Sequence, residues 1–327
     1  MSEEQVVLEV KHLKKYFPIK GGILKRTQGH VKAVDDISFD VRENETFSLV
    51  GESGCGKSTT GRAILRLHEP TDGDVLFNGE NLIDVSKSSF RHLRKDMQLI
   101  FQDPYSSLNP RMTVKKLLME PLLTHKLATP KEAEEKTVEM VEKVGLSTEH
   151  LDRYPHEFSG GQRQRISIAR ALILRPKLVI LDEAVSALDV SIQSQILNLL
   201  KQLQEEFQLT YIFISHDLNV VKHLSDRVGV MYLGQMMELA ETEALYDNPL
   251  HPYTKALLSA IPSINPKEKE NKERIILQGD VPDPSDPPSG CPFRLRCPMA
   301  HDRCAEEIPR YIEAERDHWV ACHLYDE

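Results

Sequence analysis

Residues 46–59 read TFSLVGESGCGKST. The first five form a short apolar run that stops at a glycine, and helical signals begin at Lys57, so the segment predicts strand, glycine-rich turn and helix in succession. In that context the turn fits G-x-x-x-x-G-K-[ST]. Gly51, Gly54 and Gly56 tolerate positive φ, which lets successive backbone N–H groups turn inward on an anion. The helix that follows points the positive end of its dipole at the same place. Lys57 suits the β- and γ-phosphates, and Ser58 offers a hydroxyl to Mg2+. The predicted nucleoside triphosphate site therefore takes in Gly51, Glu52, Ser53, Gly54, Cys55, Gly56, Lys57, Ser58 and Thr59. Cys55 is read as a small filler, against the alternative that the helix dipole lowers its pKa and makes it reactive.

Working outward, the 327 residues exceed one compact domain, so a main domain with an appendage is expected. A net charge of −9 argues against a general nucleic-acid binder. No apolar run reaches eighteen residues, and acids stand where a secretory signal would begin MSEEQVVLEV. A cytosolic protein follows, whose membrane partners would have to supply any spans.

Short strands are predicted at 6–10, 37–41, 75–77 and 97–101, with a loop, PIKGGILKRTQGH, between the first two. From about 113 to 144 the texture turns helical and charged, which reads as an insertion. KLVILDE (177–183) and TYIFISHD (210–217) are apolar at nearly every position, as in strands buried on both faces of a parallel sheet. A long amphipathic helix, VSIQSQILNLLKQLQEEF, lies between them. Alternating strands and helices give an α/β class. After Pro249 come a short helix, HPYTKALLSAIP, a charged linker, NPKEKENKER, and a proline-rich run, VPDPSDPPSG.

Asp182 and Glu183 end a buried strand, where one can hold Mg2+ through water and the other can polarise an attacking water. SGGQ, residues 159–162, opens a further helix; Ser159 is a good N-cap and the glycines leave backbone donors exposed. SALD (186–189) follows the acid pair, Gln102 follows the strand MQLIF and His216 follows YIFIS. This ordered set resembles the nucleotide-binding subunit of ABC transporters over about residues 6–245.

That resemblance implies a P-loop ATPase with a RecA-like core, an antiparallel β subdomain and a helical insertion at about 104–165. It implies ATP and Mg2+ as cofactors, with the metal held through Ser58, Gln102 and Asp182. Glu183, His216 and Gln102 would be catalytic: Glu183 as general base, His216 on the γ-phosphate, Gln102 linking the chemistry to the membrane partner. Phe17 would stack on adenine, with Tyr16 as its rival. Ser159, Gly160, Gly161, Gln162 and Asp189 would reach ATP held by the opposite protomer, so two chains are needed for a complete site. Ala184 departs from the proline common after the acid pair, with little effect expected on the chemistry.

Four longer stretches narrow the resemblance. They are YFPIKGGILKRTQGHVKAVDDISF, FQDPYSSLNPRMTV, HEFSGGQRQRISIARALILRPKLVILDEAVSALDVSIQSQILNLL and NPLHPYTKALLSAIP. Together they resemble the OppF/DppF/AppF-type ATPases of bacterial oligopeptide and dipeptide importers. This implies two transmembrane permeases, a second ATPase of OppD/DppD type or a second copy, and an extracytoplasmic peptide-binding protein. It also implies a peripheral place on the cytoplasmic face of the membrane. Residues 103–114 would face the permeases. Nickel and sugar importers with near-identical motifs, and a soluble non-transport ABC ATPase, are the alternatives.

The domain boundary is expected at 245/246, with a small cysteine-rich domain from 246 to 327. Its cysteines run Cys291-x5-Cys297-x6-Cys304-x17-Cys322. No close pair of the kind common in zinc sites occurs, and disulfides are disfavoured in the cytosol. Four thiolates in a proline-bounded loop can hold an iron–sulfur cluster; zinc and reduced structural thiols are the other readings, with His301, His318 and His323 as further candidate ligands. In the peptide-importer ATPases a similar C-P-F-x-x-R-C-P tail implies a [4Fe–4S] centre with a structural role.

Overall fold

The computed structural model describes residues 5–21, 26–103, 107–261 and 274–326. Most of the charged linker, and residues 104–106 of the loop expected to face the permeases, lie outside the described residues. The chain divides into two compact units: one of Met1–Val7, Arg42–Glu45 and Asp84–Ile214, the other of Leu8–Val41, Thr46–Ile83 and Ser215–Glu327.

In the first unit, strands Met97–Ile100, Leu178–Asp182 and Thr210–Ile214 run parallel, with Ile180 between Leu99 and Ile212. Leu178, Val179, Ile180 and Leu181 have no solvent exposure, which is why this strand shows no alternation in the sequence. The helical texture resolves into Val114–Thr124 and Pro130–Lys143. Thr129 and Glu132 make a capping box at the second of these, with Pro130 in its first turn. Helix Val190–Phe207 turns Ile196, Leu199, Leu200 and Leu203 inward, at the spacing of one helical stripe.

In the second unit, strand Thr46–Val50 is buried throughout and pairs in parallel with Arg227–Tyr232. Arg227–Tyr232 turns back into Gln235–Glu241, which His318–Ala321 and then Tyr311–Glu315 extend as antiparallel neighbours. A separate four-stranded sheet takes the order Arg26–Arg42, Val6–Gly21, Asp72–Phe77, Glu80–Asn81.

Two expectations change. The strands expected at 6–10 and 37–41 run from Val6 to Gly21 and from Arg26 to Arg42. Glycines and lysines made 18–30 look like a loop; residues 22–25 lie outside the described residues, and on either side of them the two strands pair through backbone whatever the side chains. The cysteine-rich segment also forms no compact unit of its own. It shares one with residues 8–41, 46–83 and 215–245, because its two strands lengthen the sheet that holds Gln235–Glu241. No helix among the described residues is long and apolar enough to cross a membrane.

Candidate functional site

The glycine-rich turn leaves strand Thr46–Val50 and enters helix Lys57–Ile64. Gly51 has φ 146°, and a Cβ there would stand 2.2 Å from the Met231 carbonyl oxygen. Only glycine fits so close a backbone approach at that angle. Lys57 is 4% exposed and folds back into the loop, donating to the carbonyl oxygens of Gly51 at 2.9 Å and Glu52 at 3.0 Å. A buried cation therefore sits inside a ring of backbone. Cys55 is also buried, its Sγ 3.6 Å from Lys57 Nζ. Burial pushes its thiol up, and this outweighs the lowering by Lys57. The geometry thus favours the filler reading over the reactive one.

In the same unit, Phe17 is half-buried, edge-on to His68 at 5.4 Å with Lys15 4.9 Å from its ring centre. Tyr16 is tied down: its hydroxyl donates to Asp35, and burial followed by that bond pushes its ionisation up. His216 is exposed just past strand Thr210–Ile214, in front of Asp217, which caps helix Leu218–Leu224.

Sequence reading missed a third group in this unit. Arg296 donates to Glu52 through both guanidinium nitrogens, at 2.6 and 3.0 Å. The Glu52 N–H donates to the Tyr253 hydroxyl at 2.9 Å. Phe293 packs against Tyr232 and Tyr253, each at 5.3 Å. The Arg-Cys spelling at 296–297 gave no signal, since arginine beside a cysteine is as readily a solvated surface charge.

In the first unit, Asp182 is 2% exposed and ends the buried strand. Glu183 follows in a left-handed conformation, φ 49°, its N–H donating to the Ile214 carbonyl oxygen at 3.0 Å. A non-glycine residue there is strained, which the neighbouring strand has to hold in place. Gln102 Nε2 donates to Glu183 Oε2 at 2.8 Å. Residues 81 apart in sequence are thus joined at the mouth of two parallel strands. Ser159 caps helix Gly160–Leu172 through a capping box with Gln162, leaving Gly160 exposed and Gly161 partly so. Asp189 is exposed at the start of helix Val190–Phe207 and makes no cap bond with its side chain. Ser186 Oγ donates to the Glu183 carbonyl oxygen at 3.0 Å, fixing the segment between them.

Cys291, Cys297, Cys304 and Cys322 all line one pocket, with His251, Phe293, Met299, His301 and His323 among its walls. All four are free thiols. The Cys291 N–H donates to the Cys304 carbonyl oxygen at 2.8 Å. Burial, and then the neighbouring thiols, push Cys291 up to about 12; burial does the same for Cys322, to about 11. Burial therefore disfavours the thiolate at Cys291 and Cys322 unless positive charge enters the pocket. Among the described residues no three His, Cys, Asp or Glu side chains are grouped so as to hold a metal ion. His318 is drawn elsewhere, 2.7 Å from the fully buried Glu238.

The family model described as ABC transporter matches residues 34–186, and that of the oligopeptide/dipeptide transporter C-terminal region matches residues 237–304. The oligopeptide transport ATP-binding protein AppF of Bacillus subtilis is 55% identical over 325 residues, covering 99% of both chains. The oligopeptide transport ATP-binding protein OppF of Salmonella typhimurium is 51% identical, covering 100% of this chain and 98% of its own. The dipeptide transport ATP-binding protein DppF of Haemophilus influenzae is 48% identical, covering 100% and 99%. Among solved structures, dimeric MJ0796, a bacterial ABC transporter cassette, aligns with TM-score 0.64 and 27% identity over 72% of this chain and 98% of its own. CbiO1 from Clostridium perfringens, part of the ABC transporter complex cbiONQ, aligns with TM-score 0.64 and 27% identity over 75% and 92%. The expected RecA-like ABC ATPase core is therefore present, and the chain belongs to the ATP-binding subunits of the oligopeptide/dipeptide ABC transporter family.

Proposed function

We propose that this chain is the ATP-hydrolysing subunit of a bacterial importer for oligopeptides and dipeptides. It acts at the cytoplasmic face of the membrane with two permeases, an extracytoplasmic peptide-binding protein, and a second ATPase of related type or a second copy. The observation that carries the reading is identity of about one half, over essentially the whole chain, to proteins named for peptide transport.

Residue by residue, the loop at 51–59 receives the triphosphate, with Lys57 leaving its carbonyl partners for the phosphates and Ser58, Asp182 and Gln102 serving Mg2+. Phe17 takes the adenine, a reading supported by the commitment of the Tyr16 hydroxyl to Asp35. Glu183 polarises the attacking water, oriented by Gln102, while His216 meets the γ-phosphate. The exposed start of helix Gly160–Leu172 and Asp189 serve the ATP of the facing cassette, so ATP closes a pair of cassettes and hydrolysis reopens it. Glu183→Gln is expected to lower turnover about 100-fold or more with ATP binding retained. An unchanged rate removes Glu183 from the base role. Uptake of labelled peptides in cells with and without this chain tests the cargo: dependence for nickel or a sugar, and none for peptide, would overturn the peptide assignment.

The same reading extends to the pocket of cysteines. Cys291, Cys297, Cys304 and Cys322 hold a [4Fe–4S] cluster. In support, four thiols share one pocket, and burial disfavours ionisation of Cys291 and Cys322 unless positive charge enters it. In a four-iron cube each thiolate binds its own iron, so the sulfurs need not converge on one point as they must for zinc. When bound, the cluster supplies cross-links between the pocket's walls. Iron and sulfide analysis after anaerobic purification tests it; a colourless, iron-free protein rules it out.

A further inference from the structure

Glu52 is the second residue of the phosphate loop, and every polar group it owns is held. Lys57 takes its carbonyl, Tyr253 takes its N–H and Arg296 takes both carboxylate oxygens. The last two partners come from the segment beyond the cassette, Arg296 from 244 residues away. The Arg296 side chain is 8% exposed and also donates to the Tyr232 hydroxyl at 3.4 Å. Tyr253 is fully buried, wedged against Tyr232 and Phe293. A two-pronged guanidinium–carboxylate pair in such a setting fixes direction as well as charge.

The charge itself has a consequence. A loop that receives a triphosphate carries, in Glu52, an anion beside its own binding site. Left bare, that carboxylate would repel the ligand, and in a partly dry setting the repulsion is poorly screened. We propose that Arg296 is a positioning residue of the ATP site. It cancels the Glu52 charge and pins the 51–56 loop in its receiving shape, so that ATP affinity depends on the cysteine-rich segment. The inference rests on the reading of residues 51–59 as the phosphate loop, and needs no metal.

The test uses the full chain, a fluorescent ATP analogue at equilibrium with Mg2+, and the KM and kcat for ATP of the same preparations. Arg296→Ala is expected to raise Kd and KM about tenfold while kcat at saturation stays within about twofold, because the pair acts on the bound ligand's charge. Arg296→Lys, which keeps the charge but loses the fork, should fall between wild type and Arg296→Ala, and serves if the alanine variant does not fold. Removing the carboxylate as well, in the double variant Arg296→Ala with Glu52→Gln, should restore most of the affinity. Wild-type affinity in Arg296→Ala overturns the proposal. So does a double variant no better than Arg296→Ala, since that would make the pair a structural tie alone. Lys57→Ala separates the two levels. If it leaves affinity intact, the phosphate-loop reading fails and the proposal with it; if it abolishes binding while Arg296→Ala does nothing, only the proposal fails.

Discussion

The phosphate loop and the cysteine pocket belong to one compact unit and are built by the same device with opposite sign. In each, a glycine at positive φ lets backbone approach backbone more closely than a side chain permits. A Cβ on Gly51 would meet the Met231 carbonyl oxygen at 2.2 Å, and one on Gly290 would meet that of Cys304 at 2.4 Å. The loop then encloses a lysine and so suits an anion. The pocket encloses four free thiols, and burial pushes those of Cys291 and Cys322 up, so it suits positive charge. Between them stand Arg296 and Phe293, both drawn from the cysteine-bearing segment, and Tyr253 from the helix Pro252–Ser259. The difference teaches that chain geometry makes a cavity, while the buried charges decide which ligand it takes.

The widest break in the comparison comes from the anion side. Lys57→Ala removes the one cation enclosed by the loop, and ATP affinity is expected to fall by about two orders of magnitude, as measured by equilibrium binding. On the cation side, the proposed cluster predicts that Cys291→Ser releases iron and costs about 3 kcal/mol, in the range of a lost cross-link. That corresponds to a fall of roughly 5–10 °C in melting temperature. Equal melting of variant and wild type would leave the pocket with no cross-linking role.

A third prediction concerns the wall that borders the pocket. His251 is buried, and its Nδ1 accepts the Tyr253 N–H at 3.0 Å. Burial pulls its pKa from 6.5 down to about 4, against the raising effect of Glu238, while Lys255 adds to the lowering. Since the folded pKa lies below the unfolded one, the unfolded chain takes up the proton first. Stability is then full above about pH 6.5 and falls as pH drops towards 4, by about 3 kcal/mol in all. His251→Asn can keep the acceptor but not the titration. Its unfolding free energy should lose that much less between pH 7 and pH 4; parallel profiles would clear His251 of the effect. The smallest change is the tenfold shift in ATP affinity expected for Arg296→Ala, and it is the one that reports whether the two sites communicate.

Legibility in the sequence followed the range of the interaction. The buried strands at Leu178–Asp182 and Thr210–Ile214, and helix Val190–Phe207, were readable from local pattern within about three residues. The hairpin of Arg227–Tyr232 and Gln235–Glu241 was not. Its turn uses Leu233 and Gly234, both at positive φ, and leucine there lacks the Asn-Gly spelling that marks such turns. The length of the strands Val6–Gly21 and Arg26–Arg42 was hidden for a related reason: their pairing is backbone to backbone, and the side chains at 18–21 and 26–30 look like those of a loop.

What the sequence determined by itself was the chemistry. A strand, three glycines, a lysine and a serine at fixed spacing form an anion receptor locally, and a serine with two glycines opens a helix wherever it lies. Tertiary structure alone decided that Gln102 meets Glu183, that four scattered cysteines share a pocket, and that Arg296 closes on Glu52. Those partners are joined through sheet order and burial, which fix distances between residues that no local spacing encodes.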